Sequence, residues 1–152
     1  MEKAKGEMIR SMRALAGLVL LVLALGGCAR QPPEQRLRET IAQMQAAVEQ
    51  GRPKVFMAAV AGDFIGNDGL DHDGLGRLLR GQLLLNARVG ARTGPLTVEM
   101  GEGATATVRF TVLLTGGDGG LLPERGRLQR VVSHWRENEG RWQLYSATWS
   151  DG

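Results

Sequence analysis

HWRENEGRWQLYSATW, residues 134 to 149, is built as two segments of period two around a turn. His134 alternates with Arg130, Val132 and Arg136, which places it on a polar or half-exposed strand face. Trp142 and Leu144 alternate with Arg141, Gln143 and Tyr145. "NEG", residues 138–140, joins the two segments, and Gly140 supplies the positive φ that a short hairpin loop requires. The stretch predicts a C-terminal hairpin, GRLQRVVSHWRE (126–137) against RWQLYSATW (141–149).

Moving towards the N-terminus, PLTVEM (95–100) and ATVRFTVLLT (106–115) have the same period and predict two more strands. Before Gly90 the period becomes helical. Leu37, Ile41, Met44 and Val48 recur at spacings of four, three and four within a helix over 34–50, which Gly51 and Pro53 stop. PKVFMAAVAG (53–62) reads as a short second helix with Phe56 and Val60 on one face. DGLGRLLRGQLLLNARVG (73–90) reads as a third, with Leu75, Leu78, Leu79 and Leu83 together. Three helices followed by about four antiparallel strands predict an α+β domain, with the helices laid across one face of a curved sheet. The expected core is Leu37, Ile41, Met44, Val48, Phe56, Leu75, Leu79, Leu83, Val98, Val108, Phe110, Val112, Trp142 and Leu144. At least two of Trp135, Trp142 and Trp149 are expected in it, the third lining a pocket or an interface.

This order of elements resembles the nuclear transport factor 2-like superfamily, also called SnoaL-like or cystatin-like. It runs helix, short helix, "DF" with an acidic glycine loop, helix, then a meander ending in the quoted hairpin. The resemblance spans residues 36–152 and implies a cone-shaped cavity between helices and sheet. Its motifs are turn and hydrophobic patterns. The superfamily hosts isomerases, cyclases, dehydratases, dimeric adaptors and non-catalytic domains, so the fold leaves the activity open.

The first 27 residues have another character. Arg10 and Arg13 precede LAGLVLLVLAL (15–25), an apolar run shorter than the about 20 residues that span a bilayer. A basic start, a short apolar core and small residues before a cut site describe a secretory signal; Met12 offers a tidier start, MRALAG. The run ends in Leu25-Gly26-Gly27-Cys28, which resembles the lipobox of bacterial lipoproteins. That resemblance implies diacylglyceryl transfer to the Cys28 sulfur, cleavage before Cys28 and acylation of the new N-terminus. Cys28 is the single cysteine of the chain, so no intrachain disulfide forms. Ala29, where enterobacterial lipoproteins kept in the inner membrane carry aspartate, implies the outer membrane, facing the periplasm. Residues 28–35 then read as a tether.

Residues 1–27 hold four of the 19 Lys+Arg and two of the 16 Asp+Glu, which leaves 15 against 14 and a net charge of +1. With no basic cluster interleaved with aromatics, nucleic-acid binding is not expected.

Several stretches suggest chemistry. GNDGLDHDG (66–74) fails the calcium-loop pattern in every register: position five or six falls on Leu75 or His72, or position three on Ile65. Neighbouring Asp71, His72 and Asp73 do not converge as zinc ligands do. Capping of the third helix by Asp71 or Asp73 is the expected role, and no metal or cofactor site is expected. TGGDGGLLPERG (115–126) lacks the Lys-Ser/Thr of a phosphate loop and reads as a hairpin connection whose Leu121-Leu122 could touch a partner.

Enzymes of the superfamily, such as the ketosteroid isomerase type, place a carboxylate base and a tyrosine or acid donor in the cone. Here the first helix has no tyrosine and TVRFTVLLT has no carboxylate. Asp63, His134 and Tyr145 remain as weak catalytic candidates, and nothing in the sequence aims them at one another. The leading expectation is a lipid-anchored envelope protein whose non-catalytic domain binds a small apolar ligand or a protein partner. The alternatives are a small isomerase or dehydratase, and a structural module that forms a homodimer.

Overall fold

The computed structural model describes residues 31–85, 88–117 and 125–152. The stretch read as a signal, Cys28, and residues 118–124 with Leu121-Leu122 lie outside the described residues.

Helix α1 (Pro33–Glu49) opens on proline, whose fixed φ suits a first helical turn and whose missing N–H is not needed there. It therefore takes in the end of the stretch read as tether. Leu37, Ile41, Met44 and Ala47 are buried along one face. Its start is fixed to the far end of the sheet. The Trp142 indole N–H donates to the Pro33 carbonyl at 3.0 Å, and the Arg36 guanidinium meets the Glu137 carboxylate at 2.9 Å and the Gly140 carbonyl at 3.3 Å.

Two segments depart from the expectation. Helix α2 (Pro53–Met57) is only five residues long. Val60, expected on its face, belongs to strand β1 (Val60–Ile65), which pairs parallel with the last strand. The Leu144 N–H donates to the Ala59 carbonyl at 2.9 Å and starts that pairing. Pairing to a buried strand outweighs a weak helical preference in β-branched and aromatic residues. Helix α3 (His72–Leu85) likewise stops before Gly90, and strand β2 (Arg88–Thr93) takes the remainder of the stretch read as helix. Strands β3 (Thr97–Met100), β4 (Thr105–Gly117), β5 (Arg125–Asn138) and β6 (Arg141–Asp151) follow as a meander.

The sheet has six strands in the order β1-β6-β5-β4-β2, with β3 also on β4. The architecture is α+β with three helices on a curved sheet. The sheet is mixed and larger than the four antiparallel strands expected, because the two strands taken for helix ends complete its edges. Between His134 and Trp135 the register of β5 on β6 slips by one residue: His134 faces Ser146, Trp135 faces Leu144, and Tyr145 is the extra residue of a bulge.

The core centres on Phe64, Leu37 and Val108, the largest side chains with almost no exposure. Each such burial contributes about 1.5–3 kcal/mol. Trp135 and Trp142 are buried with them. Val48, Phe56, Leu75, Leu79, Leu83, Val98 and Phe110, expected in the core, are only half-buried. Most of them border a cavity. No helix among the described residues is long and apolar enough to cross a membrane.

Candidate functional site

Helices α1 and α3 lie over the sheet and enclose, with it, a cavity of about 1410 Å³ that opens to solvent. Its floor is Phe64, Trp135, Leu144 and Ala147, all buried. Phe56, Leu75, Leu79 and Phe110 form part of the walls. Exposed residues that border it, among them Leu85, Arg127, Ser150 and Asp151, mark its mouth. The inward face of β5 passes from mouth to floor through Arg127, Gln129, Val131, Ser133 and Trp135.

Polar groups in the walls bond one another. The Ser133 hydroxyl donates to the Val108 carbonyl at 3.1 Å and accepts the Trp135 indole N–H at 2.9 Å. Thr93 donates to the Gln45 side-chain carbonyl at 2.8 Å. The Gln129 amide donates to Asp151 Oδ1 at 2.7 Å. Among the described lining residues, Asp151 is the single carboxylate, Arg127 the single cation, and histidine is absent. Ser133, Gln129 and Arg127 were not singled out in the sequence; strict alternation along β5 from Trp135 is the signal that marks them.

Asp63, His134 and Tyr145 are on the opposite face of the sheet. Arg136 brings two of them together. Its guanidinium donates two hydrogen bonds to the Asp63 carboxylate, at 2.6 and 2.9 Å, and lies 5.6 Å from the Tyr145 ring centroid. The His134 and Tyr145 ring centroids are 6.2 Å apart, and His134 Nδ1 is 3.1 Å from the Thr107 hydroxyl. The Arg136 hydrogen bonds hold the Asp63 carboxyl below its ordinary pKa, and those of Arg109 do the same for Glu99 on this outer face. None of the three candidates lines the cavity. An ion-paired carboxylate on an open surface is a poor proton acceptor, since general bases work near the ambient pH.

GNDGLDHDG becomes a 3₁₀ turn (Asn67–Gly69) and a helix cap. Asp71 is the capping residue, its Oδ1 accepting the Gly74 N–H at 2.7 Å, while Asp73 lies 3.1 Å from the His72 ring. A Cβ on Gly74 would lie 2.8 Å from Leu70 Cδ1 and 2.9 Å from that Asp71 oxygen, so a larger residue there would make both side chains shift. Asn67, considered in the sequence only as the start of a calcium-loop register, holds the turn to β6: its amide donates to the Trp149 carbonyl at 2.6 Å, and its carbonyl accepts the Trp149 N–H at 3.1 Å. Among the described residues, no group of three or more His, Cys, Asp or Glu could hold a metal ion.

No protein-family model and no curated protein matches the chain in sequence. Solved structures do match it. A provisionally named scytalone dehydratase of Novosphingobium aromaticivorans superposes with a TM-score of 0.70 at 13% identity, over 78% of this chain and 83% of that one. A nuclear transport factor 2-like protein of unknown function from Pseudomonas putida gives 0.65 at 18%, over 77% and 84%. A cystatin-like protein of Caulobacter vibrioides gives 0.64 at 14%, over 78% and 89%. The fold is the cystatin-like fold of the nuclear transport factor 2-like proteins. At such identities the likeness establishes the cystatin-like fold alone, and the chemistry has to be argued from the cavity.

Proposed function

We propose that this is a lipid-anchored cell-envelope protein whose cystatin-like domain binds a small apolar molecule without transforming it. The observation that carries the binding reading is the cavity: an apolar floor, with its deep hydroxyl and indole already bonded to each other. Such a lining favours transfer of apolar surface from water at about 25 cal/mol per Å² and gives a developing charge little stabilisation. The anchoring part rests on the Leu25-Gly26-Gly27-Cys28 ending and the absence of any other cysteine. Ala29 favours the outer membrane, with the domain in the periplasm.

The test is extraction of purified residues 29–152 with identification of the released molecules by mass. Expected is a stoichiometric apolar molecule that is recovered unchanged. Val131→Trp, which fills the cavity from its wall, should lower the recovered amount at least about tenfold, a loss of 1.4 kcal/mol or more. Equal recovery from the variant would place the molecule elsewhere.

A second reading, a small dehydratase or isomerase, is favoured by the names of two structural neighbours, the Novosphingobium protein and a provisional dehydratase of Streptomyces avermitilis. In that reading Asp151 is the one lining carboxylate among the described residues, and turnover of an added hydroxylated substrate, lost in Asp151→Asn, is the outcome that selects it.

A further inference from the structure

Resting on the reading of the cavity as a ligand site, we infer that its ligand is an anionic single-chain amphiphile, a long-chain carboxylate, whose head is held by Arg127 at the mouth while its chain lies against β5. One face of β5 runs from an exposed end to a buried one. Arg127, Gln129, Val131, Ser133 and Trp135 face inward in succession, about 6.6 Å apart. Arg127 is exposed, Gln129 is 6% exposed, and Ser133 and Trp135 are 2% and 3% exposed. At the deep end Ser133 and Trp135 satisfy each other and Val108, so no open hydrogen-bonding group draws a polar head inward. A polar head left unbonded in that floor would be strongly unfavourable, so it stays at the mouth.

The mouth has two charged side chains, and they differ. The Asp151 carboxylate accepts the Gln129 amide through Oδ1 at 2.7 Å. Arg127 has no ion-pair partner among the described residues, as is also true of Arg52, Arg77, Arg80, Arg92 and Arg130, but of all these it is the one that lines this cavity. A guanidinium presents a planar fork of donors that a carboxylate fits in bidentate fashion. The Gln129 amide orients the Asp151 carboxylate through Oδ1.

The test uses the full chain in phosphatidylcholine nanodiscs. It is labelled with three photoreactive probes of equal chain length: hexadecanoic acid, hexadecanol and hexadecylamine, each with a mid-chain diazirine. Labelling is quantified on the peptides that contain Val131–Trp135 and Phe110–Val112. Expected is a preference for the acid over the alcohol of about tenfold, as charge-assisted hydrogen bonds give. Arg127→Gln should abolish that preference with alcohol labelling unchanged, which also shows the variant is folded, and Arg127→Lys should keep part of it. Equal labelling by acid and alcohol, strongest labelling by the amine, or a preference that survives Arg127→Gln each overturns the head-group inference while the cavity reading stands. Absence of labelling by all three probes overturns the cavity reading itself.

Discussion

Asp71 and Asp73 are two residues apart and chemically identical, yet only one of them closes a hydrogen bond to the helix backbone. Asp71→Ala leaves the Gly74 N–H without its acceptor and should cost about 0.5–2 kcal/mol in urea unfolding, with Asp71→Asn or Asp71→Ser close to neutral. Asp73→Ala should stay within about 0.5 kcal/mol, because its carboxylate gives only a favourable charge near the helix start. The reverse ranking would contradict the cap. Asp63 shows the same dependence on a single partner. Its pKa is held down by the two Arg136 hydrogen bonds, so what the pair adds to stability is complete above the pKa of an unfolded-state aspartate and is lost as pH falls through the lower, folded value. Carboxyl-carbon NMR should give Asp63 a midpoint below that of an unpaired aspartate, and Arg136→Gln should move it back up. An unmoved midpoint would disconnect the two residues.

Elements set these residue partnerships, and the β5–β6 hairpin supplies Arg136 to Asp63. Asn138 pairs with Arg141, which leaves Glu139 and Gly140 as a two-residue loop, with φ of 50° and 78°. Two successive positive φ values define a type I′ turn, whose preferred pair is Asn-Gly. Glutamate in the left-handed region is strained, and its ion pair with Arg141, at 3.9 Å with both side chains exposed, offsets little of that strain. Glu139→Asn should therefore stabilise by about 1 kcal/mol and raise Tm by roughly 3–6 °C in calorimetry. No change in Tm would mean that the loop tolerates glutamate without strain.

The long strands and α1 were legible because their periods run uninterrupted past Leu37 to Val48 and Val108 to Leu114. Strand β1 was not: in VAGDFI, Val60 and Ala61 are both buried while Gly62 and Asp63 are both exposed, so neither period fits. The bulge at Tyr145 hid part of the site. Unbroken alternation from Leu144 would turn Ser146 inward, but the extra residue turns Ala147, Trp149 and Asp151 to the cavity instead. Only the pairing with β5 sets that shift, and periodicity within one strand does not contain it.

For the whole molecule, the proposed ligand and the proposed anchor both draw on apolar chemistry. An amphiphile bound as inferred would stabilise the fold: at a concentration of 100 Kd, linkage gives about 2.7 kcal/mol. The anchor rests on Cys28 and needs its own test. One acyl chain holds a protein to a membrane only marginally, whereas two or more hold it stably, at about 0.8 kcal/mol per buried CH₂. In the proposed processing the Cys28 sulfur accepts the diacylglyceryl group before cleavage, so a hydroxyl in its place would remove the substrate of both steps. Cys28→Ser expressed in a bacterial host should therefore fail to incorporate labelled acyl chains and should accumulate as precursor, with residues 1–27 still attached. The folded domain should keep its ligand in both forms, since the described cavity residues begin at Ile41. Wild-type and Cys28→Ser chains that fractionate alike, neither of them acylated, would remove the anchor from the proposal and leave the cavity untouched.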